Sequence, residues 1–177
     1  MIALTDLYQR TRLLAGDMQK AKYSDYEVHT AVKAAVDMLC EALIKYGSAE
    51  LIRRAELTTA DGRSALPEGF LSVANIEDND GVQLFANYEH VPPFGYYRIE
   101  GDFLIAPEGV VKLTYMKNPM EKKQIDLAAG FLGYLAGICA NLLAGEADAA
   151  ASKAEEAAKM SAGDKRGVIP DPQMWQG

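Results

Sequence analysis

Two histidines, His29 and His90, and two cysteines, Cys40 and Cys139, carry the side chains of this sequence with the most chemistry near neutral pH. A histidine base needs a nucleophile within hydrogen-bond reach. His29 stands one residue after an apolar helix position, His90 lies in a loop before Pro92 and Pro93, and neither has a Ser or Cys beside it in an elbow-like turn. Structural roles are expected for both. The cysteines lie far apart within helical patterns, which gives neither a metal-ligand cluster nor a disulfide framework; both are expected as buried thiols in a reducing compartment.

Carboxylates cluster at Glu77-Asp78-Asn79-Asp80-Gly81, but the alternating ligands and distant closing Glu of a calcium loop are missing, so a hairpin turn is expected. No glycine-rich loop joins a strand to a helix as a phosphate cradle would, because Gly130, Gly133 and Gly137 fall inside a helical pattern. No catalytic, cofactor or metal residue is therefore assigned. An enzyme with a site scattered around Glu77, Asp78, Asp80 and His90 stays open as an alternative.

The elements that position these residues follow from periodicity. Thr5 can cap a short first helix carrying Leu7, Leu13 and Leu14 and ending near Gly16. Ser24-Asp25-Tyr26-Glu27 has capping-box spacing, and Val28, Ala31, Val32, Ala35, Leu39 and Leu43 then recur on one helix face until Gly47. Beyond it, short apolar bursts separated by Asp61-Gly62, Asn79-Asp80-Gly81 and Gly101-Asp102 predict strands near 50–58, 71–77, 82–86, 96–100, 103–106 and 110–117, with a loop at Val91-Pro92-Pro93 and a hairpin over 96–106. An apolar run from Ile125 to Ala144 predicts a long helix, and Asp148–Met160 another.

The expected fold class is mainly α with a β-insert: a bundle of about four helices interrupted by a small antiparallel β domain, plus an extended C-terminal tail. Its parts are 1–48 and 120–162 for the bundle, 49–119 for the insert and 163–177 for the tail. The second helix and the helix from Ile125 should share the core, with Leu39 and Leu135 buried. Ala129, Gly133, Ala136, Gly137 and Ala140 form a small-residue face expected to meet another helix closely, within the subunit or between subunits.

The tail carries Val168, Ile169, Pro170, Pro172, Met174 and Trp175, the only tryptophan of the chain. Prolines favour an extended form, and apolar side chains ending in Trp suit an anchor, so the tail is expected to bind outside its own subunit; a tail folded back onto its own domain, or a disordered one, is the alternative of equal weight.

Leu127–Ala144 holds no charged residue, yet much of it is Ala and Gly, and Asp126 and Glu146 flank it. A single-span membrane protein is thus the alternative and a core helix the expectation. The N-terminus lacks the basic, apolar and small-residue sections of a secretory signal, so cytoplasmic synthesis is expected. A net charge of −7 argues against tight nucleic-acid binding.

The motifs occur in a telling order. A Tyr23-Ser24-Asp25-x-Glu27 helix start is followed by Leu66-Pro67-Glu68-Gly69-Phe70. Tyr97-x-Ile99-x-Gly101-x-x-Leu104-x-x-Pro107 comes next, then Val111-x-Leu113-x-Tyr115-x-x-x-Pro119 and a long helix rich in small residues. This order resembles the phage head-to-tail adaptor proteins, including the tail accessory factors of short-tailed phages, over nearly the whole chain. Lys33 stands where members usually carry an Asn or a basic residue midway along the second helix. The resemblance implies a non-enzymatic virion protein without cofactor or membrane, forming a homo-oligomeric, commonly dodecameric, ring. Such a ring sits between the portal protein and the next tail component, a nozzle or stopper, and DNA passes through it without specific binding. An acidic subunit is compatible with that passage, because it repels the duplex and lets it slide.

Overall fold

The computed structural model describes residues 1–87 and 95–163. His90, the Val91-Pro92-Pro93 loop and the six tail residues Val168, Ile169, Pro170, Pro172, Met174 and Trp175 lie outside them. Among the described residues four helices and nine strands make a mixed α/β chain with small sheets, broadly as expected. It divides into two compact units, Met1–Leu51 with Pro119–Gly177, and Ile52–Asn118.

The first unit opens with β1 (Ile2–Ala3), which pairs antiparallel with β9 (Gln124–Ile125), placing Ile2 opposite Ile125. Helix α1 (Leu4–Leu14) follows at once, and the Leu4 amide donates to the Lys123 carbonyl. Thr5 is therefore inside the helix and caps nothing: β1 delivers the chain to Leu4, and Ala3 occupies the cap position. Gly16, with φ of 66°, ends the run as expected.

Helix α2 (Asp25–Lys45) has the full capping box: the Glu27 amide donates to Ser24 Oγ at 3.2 Å and the Ser24 amide to Glu27 Oε2 at 2.7 Å. Its predicted face is buried, with Val36, Cys40 and Ala42 added. The apolar run after Ile125 is not one helix. Ile125 is a strand residue, Ala129–Phe131 forms a 3-10 turn, and α3 spans only Leu132–Leu143. Burial, which Ile125, Leu127 and Phe131 all share, makes the run apolar already before α3 begins, so its apolar character does not mark the start of the helix. Among the described residues no helix is long and apolar enough to cross a membrane.

Helix α4 (Ala147–Gly163) buries Ala150, Ala154, Ala157 and Ala158. These join Leu7, Val32, Leu39, Leu43, Leu135 and Ile138 in one core drawn from all four helices. Leu39 and Leu135 are both fully buried, so the shared core of α2 and α3 is as expected.

The second unit holds two sheets. In one, β8 (Gly109–Lys117) lies between β2 (Ile52–Thr59) and β4 (Phe70–Asp78), antiparallel to both. In the other the order is β3 (Arg63–Ala65), β7 (Phe103–Ile105), β6 (Tyr96–Glu100) and β5 (Phe85–Ala86), with β5 parallel to β6. The 96–106 hairpin is present as β6 and β7. Asp61 and Gly62 both have positive φ, 53° and 72°, which is the requirement of the tight turn that returns β2 into β3. The strand expected over 82–86 shrinks to Phe85–Ala86, because Gln83 makes only one bridge to Glu77. Alternation along β8 buries Val111, Leu113 and Tyr115 with Ile76 and Leu104 in a core of this unit's own.

Candidate functional site

The helical unit brings the expected small-residue face only partly together. Ala136 and Gly137 are buried on α3 and Ala140 is half-buried beside them, whereas Ala129 is exposed in the 3-10 turn. An added Cβ at Gly137 would meet only the flexible end of the Lys153 side chain from α4, which lies over this glycine. Gly133 has no atom within 4 Å of such a Cβ. Among the described residues nothing crowds Gly133, so of the two forms of the expectation, within the subunit or between subunits, the second is the one its surface leaves room for. Against α3, α4 presents alanines spaced four, three and one residues apart, a signal present in the sequence but not used above.

The histidine and acidic candidates have structural partners. Tyr8 Oη and His29 Nδ1 are 2.6 Å apart and tie α1 to α2, while burial, with Cys139 and Asp25 nearby, raises the Tyr8 hydroxyl's pKa. Asp78 Oδ1 accepts from the amides of Asp80 and Val82, holding the turn that Gly81 completes at φ of 83°. Asn75 Nδ2 donates to Glu77 Oε1 at 2.8 Å. Glu77 also borders an open basin of 540 Å³ on the β2-β8-β4 sheet, where the register sets Lys112 opposite both Glu56 and Glu77. Opposite charges in cross-strand rows are the ordinary make-up of a solvated sheet face. Among the described residues no group of three or more His, Cys, Asp or Glu side chains could hold a metal ion.

Sequence reasoning missed the buried ion-pair network at the α1–α2 connection. Arg12, almost wholly buried, donates to Asp17, to the Tyr23 carbonyl at 3.0 Å and to Asp25 Oδ1 at 2.7 Å. The Asp17 carboxylate also accepts from the amides of Lys22 and Tyr23. The Lys22 amide, ahead of Tyr23 and the Arg12 charge, holds Asp17 below its ordinary pKa of 3.8. Hydrogen bonds from Arg12 and Lys20 do the same for Asp25. Nothing in the spacing of Arg12 and Asp17 announces such a network, since charged residues in a connector are usually solvated.

Burial pushes both thiols, Cys40 and Cys139, up to about 12, so neither is a nucleophile at neutral pH.

Several large apolar side chains of the helical unit are exposed. Leu13, Leu14 and Met18 fall together at the end of α1 and just beyond it, and Tyr26 is 78% exposed in the first turn of α2. A second apolar surface is a 260 Å³ groove between the start of α3 and the end of α4.

No protein-family model matches this chain, and no curated protein matches it.

Proposed function

We propose that the chain is a structural head-to-tail adaptor of a tailed phage. In this reading it forms a ring, commonly dodecameric, that joins the portal to the next tail component, a nozzle or stopper, and lets DNA pass through. It acts by shape and burial in the virion and not by covalent chemistry. A helical bundle interrupted by a β-insert, with a C-terminal arm, is the finer architecture this function uses.

One observation carries the proposal: helices from both ends of the chain share a single core, and most motifs of the adaptor resemblance, those between Leu66 and Tyr115, lie in a separate sheet unit. Those motif residues have packing duties. Leu104, Val111, Leu113 and Tyr115 are core, and the Gly69 carbonyl accepts from the Asn118 amide at 2.8 Å with Gly69 at φ of 75°. The motifs thus support a shared fold, and the oligomer rests on the surface. Leu13, Leu14, Met18 and Tyr26 are the kind of exposed apolar set that an assembly covers. Open Gly133, next to buried Ala136 and Gly137, allows a second subunit to approach α3 closely.

The net charge of −7 supports passage of DNA without retention. The arm 163–177, with its Trp175 anchor, reaches the portal or a neighbouring adaptor on assembly. The proposal is tested by co-sedimentation of the purified chain with the portal protein of the same source. A saturable complex is expected, and failure to bind an assembled portal overturns the assignment.

A further inference from the structure

The groove in the helical unit has a form that narrows what can occupy it. Phe131 and Tyr134 line it from the start of α3, Ala157 and Met160 from α4, and the small residues Ala128 and Gly130 complete the lining. Its 260 Å³ is smaller than the pockets that take drug-sized ligands or cofactors, and suits one large side chain with a neighbour. Met160 is 60% exposed there, and the Tyr134 hydroxyl donates to its sulfur, so a thioether is held at the groove surface. Sulfur beside a ring edge is a favourable contact, and methionine adapts its shape to what it meets. Ser161 and Glu50 also line it and add polar groups to an otherwise mostly apolar surface.

The occupant follows from where the chain goes next. Met160 and Ser161 belong to the last turn of α4, and from Met160 to Gly163 the helix rises only about 4.5 Å. Fourteen residues follow Gly163, including Val168, Ile169, Met174 and Trp175. Val168 stands five residues beyond Gly163, a reach of up to roughly 17 Å, which is long enough to span the distance back to the groove. A short tether also gives the segment an effective concentration of order millimolar at its own groove, which a separate partner must exceed.

We propose that in the free chain this groove is filled by the chain's own C-terminal segment, with the Trp175 indole seated against Phe131, Tyr134 and Met160. The segment is then a self-docked arm: its apolar residues are sheltered until a competing surface draws them out. The inference needs neither a portal nor a ring, and it stands or falls separately from the adaptor assignment.

Trp175 is the only tryptophan, so the fluorescence of the intact chain reports on this one position. The test compares the full-length chain, the variants Gly130→Leu and Met160→Glu, and a peptide of residues 164–177. Gly130 has no atom within 4 Å of an added Cβ and Met160 is largely exposed, so both variants should fold, and far-UV circular dichroism checks that they do. The intact chain should emit to the blue of the peptide and resist acrylamide quenching several-fold better, equally at high and at hundredfold lower concentration. Each variant should move emission and quenching to the peptide's values. Peptide-like emission from the intact chain overturns the proposal, as does shielding that survives both substitutions. Shielding lost on dilution also overturns it, because the occupant would then be the arm of a second copy.

Discussion

Replacing Leu39 by Ala tests the packing argument at its centre. Leu39 is fully buried on α2, in a core completed by residues of α1, α3 and α4, so the neighbouring backbone is fixed on several sides. The substitution removes three carbons' worth of buried apolar surface, about 2.4 kcal/mol at ~0.8 kcal/mol for each. A residual void of roughly 50 Å³, at ~24 cal/mol per Å³, adds about 1.2 kcal/mol. The sum, about 3.6 kcal/mol, sits inside the ~2–5 kcal/mol expected for such truncations, and Leu135→Ala should fall in the same range. Urea unfolding followed by helical circular dichroism measures this for the right unit, because all four helices lie in it. Leu13→Ala is the control: Leu13 is 60% exposed, and its loss should cost less than ~0.5 kcal/mol. Costs under ~1 kcal/mol at both Leu39 and Leu135, or a cost at Leu13 equal to theirs, would refute the assignment of faces.

Three further outcomes follow from named contacts. Gly133→Ala should stabilise the subunit by ~0.5–1 kcal/mol, since its Cβ meets open space and alanine is the better helix former, whereas Gly137→Ala should gain less, because the end of the Lys153 side chain must first swing aside; thermal melts compare the two. Asp17 and Asp25 have depressed pKa values in the folded state, so the unfolded chain takes up their protons first as the pH falls. Their stabilisation should be complete at neutral pH and decline below about pH 4, and unfolding free energies against pH should show a shallower acid limb for Asp17→Asn. With both thiols pushed up to about 12, Cys40 and Cys139 should resist a thiol reagent at mildly alkaline pH in the folded chain and react together in denaturant; fast labelling of the native protein would contradict their burial.

What the sequence displayed depended on the length of each pattern. Helix α2 was legible to its cap because twenty-one residues repeat one apolar face between a capping box and Gly47, and the strands around β8 were legible because alternation ran for nine residues. Strands β1, β3 and β9 have two or three residues each, too few to show any period, and they exist because of partners distant in sequence. The run from Ile125 misled for a related reason: a buried irregular segment is as apolar as a helix. For the small-residue face, the spacing of Gly133 and Gly137 cannot say which side α4 covers and which is left for another subunit. The Arg12 network was invisible, because its partners lie five and thirteen residues away with no repeat to mark them.

Electron microscopy of the purified chain, alone and mixed with the portal protein of its source, addresses the adaptor proposal most directly. The account predicts closed rings seated on the portal in the mixture. Particles that remain single subunits in both samples would contradict it.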